Sequence, residues 1–275
     1  MVAVVTDSAG NVPPHLAAEL GLQVASLELR FGDRAFRDGV DMAGDDFYQR
    51  LVASPELPST AAPSPGAYLE AYRAAGADEI VCVTLSAGLS AANRQALLAA
   101  EQFDGRVEVV DSGSATMGEG FVAVEAARAA QAGGALEDVS ARAKEIAGRV
   151  RVLGAIETFE FLKRSGRVTK VQAYAATRLD IKPVFRLEEG EIRPVARPRT
   201  RGRALARIVQ ETAAEAAGRP IHLAVFHAAA ERAANDLLGR VVLEADVVER
   251  FVVASTPAIG AHTGPGLVGV AYWCE

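Results

Sequence analysis

The sequence predicts an α/β protein of two domains, 1–151 and 152–275. The first is a doubly wound, mostly parallel sheet, and the second is a mixed α/β domain. Three observations lead there. From Val2 to Arg149 short apolar, β-branched runs alternate with alanine-rich helical stretches, as parallel βαβ units require. From Val152 onward that alternation gives way to strands, a glycine-turn hairpin and two basic segments. Hydrophobic residues make up 50% of the 275, ample for a buried core, yet no apolar run approaches the roughly 18 to 20 residues that span a bilayer.

In order, Val2–Thr6 reads as a buried strand, broken by Asp7-Ser8-Ala9-Gly10-Asn11, and Pro13-Pro14 open a helix to Leu20. Asp7 and Ser8 thus sit at a strand's carboxyl end, where open α/β sheets place their crevices, or merely cap a turn. Leu22–Leu29 is a second apolar run, Asp45–Ala53 a helix, and Ser54–Pro65 a loop rich in Pro, Ser and Thr. Ser64-Pro65 is an N-cap and first-turn pair for a helix to Ala75. Thr60 stands apart in the preceding loop, where flanking prolines could aim its hydroxyl at a partner, or it is an ordinary loop threonine.

Glu79–Leu85 is a strand, Ser86–Ser90 a turn, and Ala91–Glu101 a helix. Ser90 lies beside that helix's N-terminus, where it either caps the helix or, with the free N–H groups, meets an anion. Val107–Asp111 is a strand, and helices follow to Gln131 and over Leu136–Arg149. Beyond them come a strand over Val152–Glu157, a short helix over Phe159–Arg164, and a hairpin over 182–195 with a glycine turn at Glu188-Glu189-Gly190. The final elements are a helix over Ala204–Ala217, strands over Ile221–His227, Val248–Ala254 and Leu267–Trp273, and a helix over Ala228–Leu238.

The stretch Thr256–Gly269 holds His262 beside Thr263 in a glycine-rich loop, able to present an imidazole in one orientation or to be a plain turn. Its Gly264, Gly266 and Gly269 formally spell G-x-G-x-x-G, but too little chain follows them for the helix that fingerprint needs. Cys82 and Cys274 offer neither a disulfide framework nor a metal site, and no cofactor is expected. The opening M-V-A-V-V-T-D-S turns polar too soon for a signal peptide, so a cytoplasmic location is expected. A net charge of −6 argues against a nucleic-acid partner. The basic turns Lys163–Arg167 and Arg197–Arg203 are solvated surface, a docking face or a phosphate clamp.

Taken together, these motifs resemble the DegV family, the fatty-acid-binding proteins of bacterial fatty acid kinase. The likeness rests on Thr6-Asp7-Ser8, Thr60–Ser64, Ser86–Ser90, Asp111-Ser112, Ser165-Gly166-Arg167, Lys182-Pro183, Arg199-Thr200 and His262-Thr263-Gly264-Pro265-Gly266. It implies a long-chain fatty acid between the two domains, tail inward, its carboxylate bound by Thr60, Ser90 and His262 with Ser86 and Thr263 behind them. A separate kinase subunit would phosphorylate that carboxylate to an acyl phosphate, so this chain would carry no catalytic residue. Arg167 and Arg199 would face the kinase or the new phosphate, and membrane contact would be transient. The family's Thr-Ser-Gln-Pro-Ser is here Thr60-Ala61-Ala62-Pro63-Ser64, which removes polar neighbours. Two rivals stay open. One is an acyl or ester hydrolase using Ser90, His262 and Asp7 or Asp111, which lacks the G-x-S-x-G elbow. The other is a regulatory module that binds nucleic acid through the basic turns.

Overall fold

The computed structural model describes residues 1–42, 44–54, 57–166 and 181–275. Its first half runs β1 (Val2–Asp7), α1 (Pro14–Leu20), β2 (Gln23–Ala25), β3 (Glu28–Phe31), β4 (Arg34–Arg37), α2 (Gly44–Ala53), β5 (Ser59–Ala61), α3 (Pro65–Ala74), β6 (Glu79–Thr84), α4 (Ala92–Ala100), β7 (Arg106–Asp111), α5 (Met117–Gln131) and α6 (Leu136–Arg149). The second half runs β8 (Arg151–Ala155), α7 (Glu160–Arg164), β9 (Val184–Glu188), β10 (Glu191–Ala196), α8 (Arg201–Ala216), β11 (Ile221–His227), α9 (Glu231–Glu244), β12 (Val247–Ala254), α10 (Pro257–Thr263) and β13 (Val268–Cys274).

These strands form a mixed α/β fold. A parallel sheet has the order β2-β1-β6-β7, and a mixed sheet has the order β10-β9-β8-β13-β11-β12. A small antiparallel sheet, β4-β3-β5, stands beside them.

Local chemistry explains several boundaries. Ser64 accepts the Ala67 N–H at 3.1 Å with Pro65 in the first turn of α3, and Thr200 accepts the Arg203 N–H at 3.3 Å to start α8. The β9–β10 hairpin turns through Glu189 and Gly190, both at positive φ (+50° and +74°), the backbone that two-residue turns need. In the mixed sheet the alternation is clean: Leu153, Val225, Val270 and Tyr272 pack with residues of α8 and α9, while Val152, Phe226 and Ala271 join the core on the other face. Helix α5 fills the space between the two large sheets. Every residue from Met117 to Ala127 is buried, and its Phe121 ring lies 6.2 Å from Phe251 of β12. A helix buried on all sides needs packing on every face, and its two buried acids are partnered, Glu119 by the Thr6 hydroxyl and Glu125 by Arg128 and Arg142.

Four expectations need correction. Thr60 is not in a loop: β5 pairs it with Leu29 of β3. The run Leu22–Leu29 splits into β2 and β3, which join different sheets. His262 lies on a helix, since Thr256-Pro257 open α10 and the glycines terminate it, Gly264 at φ +73°. Helix α8 begins at Arg201, so Arg201 and Arg203 belong to its first turn. Arg167 lies outside the described residues.

Candidate functional site

A cavity of about 330 Å³ opens between the carboxyl end of the parallel sheet and one face of the mixed sheet. Among the described residues, every lining side chain apart from Thr60, Ser90, Thr116, His262 and Thr263 is apolar. Its floor is set by ladder register. Phe185 faces Gly154, Gly154 faces Gly269, and Gly269 faces Phe226, giving one row across β9, β8, β13 and β11. The two central glycines make room for the flanking rings: a Cβ on Gly154 would meet Phe185 Cζ at 2.6 Å, and one on Gly269 would meet Phe226 Cζ at 2.4 Å. Val152, Leu187 and Ile192 form a second row.

The rim is polar and partly exposed. Thr60 on β5, Ser90 before α4, and His262 and Thr263 on α10 all line the cavity. Thr60 Oγ1 and His262 Nε2 share a hydrogen bond of 2.7 Å although 202 residues separate them. Ser90 Oγ accepts the Ala92 N–H at 3.2 Å, so it does cap the start of α4 from one position before the cap residue Ala91. Thr263 donates to the Ile259 carbonyl at 3.0 Å. Ser86 does not line the cavity. Its carbonyl accepts the Ser90 N–H at 3.0 Å and its hydroxyl the Gly88 N–H at 3.1 Å, which fixes the turn carrying Ser90.

Beneath the rim lie buried acids. Asp7 accepts from the Ala9 and Leu85 N–H groups at 3.0 and 2.9 Å and from the Tyr68 hydroxyl at 3.1 Å. Burial nevertheless pushes its pKa up to about 6. Glu119, in the first turn of α5, accepts from the Thr6 hydroxyl at 3.0 Å. Its burial, and then the neighbouring Asp7 charge, raise its pKa well above the usual carboxylate range.

Among the described residues, the hydrogen bonds of Ser90 Oγ, His262 Nε2, Asp7 and Asp111 do not join a serine, a histidine and an acid in relay. The His262 Nε2 bond goes to Thr60, Asp7 is held by its own donors, and Asp111 accepts the Ala87 and Gly113 N–H groups. The hydrolase expectation is therefore not supported. Arg199 is exposed and does not line the cavity. Nearer the rim, Arg201 donates to the Gly266 carbonyl at 2.8 Å, and Lys182 pairs with Glu157 at 2.8 Å. A second hollow, among Arg149, Arg151, Arg186 and Arg219, has each guanidinium already bonded to a carboxylate or a backbone carbonyl. Among the described residues no group of three His, Cys, Asp or Glu side chains is placed to hold a metal, and no helix is long and apolar enough to cross a membrane.

Sequence reasoning missed the floor. Its signal was present as Gly154 and Gly269 inside strands, where glycine marks a close approach. Thr116, at φ +52° before α5, also lines the cavity without having been singled out as a site residue.

Comparison with known proteins places this geometry among relatives. The family model for DegV, described as an uncharacterised protein family, matches residues 1–275. A DegV domain-containing protein of Streptomyces coelicolor is 36% identical over 273 residues, covering 98% of this chain and 97% of that protein. A DegV family protein from Thermus thermophilus, described by its fatty acid binding, superposes with a TM-score of 0.94 at 32% identity, over 100% of this chain and 99% of that one. DegV from Bacillus subtilis, described as a fatty acid binding protein, superposes with a TM-score of 0.88 at 26% identity, over 100% and 99% of the two chains.

Proposed function

The chain belongs to the DegV family, and from that premise we propose that it binds a long-chain fatty acid in this cavity, the tail on the floor and the carboxylate at Thr60, Ser90 and His262. The observation that carries the reading is the polarity gradient of one cavity. Its polar rim is partly exposed and already joined by the Thr60–His262 bond, while its floor is apolar and buried. At about 330 Å³ it falls at the small end of ligand sites, which span roughly 300 to 1,000 Å³.

The energetics agree with that orientation. About 14 methylenes at about 0.8 kcal/mol each give roughly 11 kcal/mol before the costs of association. A carboxylate left unpaired in the floor would forfeit several kcal/mol of that, so the head group belongs at the rim donors. Two hydroxyls, an imidazole and the free N–H groups of α4 offset its desolvation.

The reading includes a separate kinase that phosphorylates the presented carboxylate to an acyl phosphate, in the cytoplasm. In support, the resemblance implies it, the rim is open to an incoming phosphoryl donor, and the Arg199 guanidinium stands exposed for a charged partner. The test is direct. Mass spectrometry of lipid extracted from the purified protein should find a long-chain fatty acid at about one per chain. A protein that carries none, and takes up none from palmitate-loaded vesicles, would end the carrier reading.

A further inference from the structure

We propose that Asp38 is the positioning residue for His262: its buried carboxylate holds the first turn of α10, and so sets where the imidazole one turn later meets Thr60. Asp38 follows β4 and is 1% exposed. Oδ1 accepts the Ala258 N–H at 2.8 Å, across 220 residues of chain. Oδ2 accepts the Ser8 hydroxyl at 2.7 Å, and Ser8 Oγ in turn accepts the Leu27 N–H at 3.0 Å. The backbone of Asp38 is fixed as well, its N–H donating to the Leu27 carbonyl at 2.8 Å. Among the described residues Asp38 forms no ion pair, so hydrogen bonds alone hold a carboxylate that is costly to bury.

The placement matters because of what stands at the other end of α10. Thr256, its N-cap, makes no side-chain cap bond, so the first-turn N–H groups depend on a donor-seeking group from elsewhere. Asp38 is that group. It comes from the same small sheet that carries Thr60: Leu29 of β3 pairs with Phe36 of β4 on one side and with Thr60 of β5 on the other. One sheet therefore grips α10 twice, at Ala258 through Asp38 and at His262 through Thr60. Four residues of helix separate the two grips, about 6 Å at 1.5 Å per residue. Between them Gly260 lets α2 press close, since a Cβ there would meet Tyr48 Oη at 2.5 Å and the Phe47 ring at 2.9 Å. With both ends and the middle held, the imidazole has one place to be.

The positioning of His262 stands on this geometry alone, whereas its consequence for carboxylate binding rests on the fatty-acid reading. Two measurements keep them apart. In long-range proton–nitrogen spectra of the ¹⁵N-labelled full chain, His262 should show a single tautomer in the wild-type protein. In Asp38→Ala its ring shifts should move toward the tautomer average, with those of His222 and His227 unmoved. Asp38→Asn, which keeps an acceptor for the Ala258 N–H, should restore them. Palmitate affinity should fall in Asp38→Ala by up to about fivefold, no more than the loss of the His262 side chain itself, and return in Asp38→Asn. An unmoved His262 in Asp38→Ala, or an Asp38→Asn that behaves like the alanine variant, overturns the proposal. Should Asp38→Ala fail to fold, Ser8→Ala removes one of the carboxylate's donors and is read the same way, with an unmoved His262 again overturning it. A wild-type protein that binds no palmitate ends the fatty-acid reading instead, and leaves the imidazole spectra to decide the positioning.

Discussion

The floor and the rim of the cavity are built by opposite means. The floor is one face of a sheet, its residues lined up by ladder register: Phe185, Gly154, Gly269 and Phe226 in one row, Val152, Leu187 and Ile192 in the next. The rim is gathered from a three-residue strand, a turn and a seven-residue helix that meet only in the folded chain. A floor of this kind depends on backbone spacing and tolerates no intruding atoms, whereas a rim of this kind depends on single hydrogen bonds. Variants in the two regions should therefore fail differently.

The largest effect is expected in the floor, and the two glycines separate backbone from side chain. A Cβ at Gly269 would meet the Leu153 carbonyl oxygen at 2.4 Å as well as the Phe226 ring, and a ladder carbonyl cannot step aside. Gly269→Ala should lower stability by about 3 kcal/mol in urea unfolding, or prevent folding. At Gly154 the three nearest atoms all belong to the Phe185 ring, the closest at 2.6 Å. Gly154→Ala should cost about 1 kcal/mol and push that ring into the cavity, weakening palmitate more than octanoate. Equal losses of stability in the two variants would break the distinction.

Charge divides the two regions as well. Among the described residues no acid lines the floor, while Asp7 and Glu119 lie buried where β1 ends and α5 begins. Both have folded pKa values above their unfolded ones, Asp7 at about 6 and Glu119 higher than the usual range. Their contribution to stability is thus complete below an unfolded pKa of about 4. It is lost as pH rises, first through about 6 for Asp7 and then further for Glu119. Glu119→Gln keeps an oxygen for the Thr6 hydroxyl and removes the ionisation. It should be more stable than wild type by about 1 to 2 kcal/mol at pH 8, with little difference near pH 4.5. Urea midpoints at the two pH values check this, and the same pH slope in both proteins would show that Glu119 is not the titrating group.

The same contrast decides what could be read from the chain before folding. Helix α6, strand β11 and the β9–β10 hairpin follow from apolar pattern and the glycine turn at Glu188-Glu189-Gly190, which are local signals. The rim residues Thr60, Ser90 and His262 stood out as polar groups in Gly- or Pro-rich surroundings, and the structure brings them to one cavity. Their local settings were misread, Thr60 as loop and His262 as loop, because a three-residue strand and a seven-residue helix are too short to show a period. The floor was illegible for another reason. Which strand face meets which is fixed by pairings such as β8 with β13, more than a hundred residues apart, and no local pattern encodes them. Asp38 belongs with these, its role visible only through Ala258 on the far side of the chain.

The smallest expected effect lies at the rim, and it discriminates best. Thr60 Oγ1 and His262 Nε2 are within 2.7 Å of each other, so removing either side chain deletes the same bond. His262→Ala should weaken palmitate by about fivefold to tenfold, about 1 kcal/mol. Binding of methyl palmitate should stay unchanged, because the ester brings no charge to the rim and the floor is intact. Thr60→Val should do the same. The double variant should lose less than the two single losses combined, since groups that share one interaction are not additive. Gly154→Ala should weaken acid and ester alike, because a displaced ring at the floor does not sense the head group. An acid and an ester that respond equally to His262→Ala would place the recognition of charge somewhere other than the rim, and the division between the two regions would then be one of shape alone.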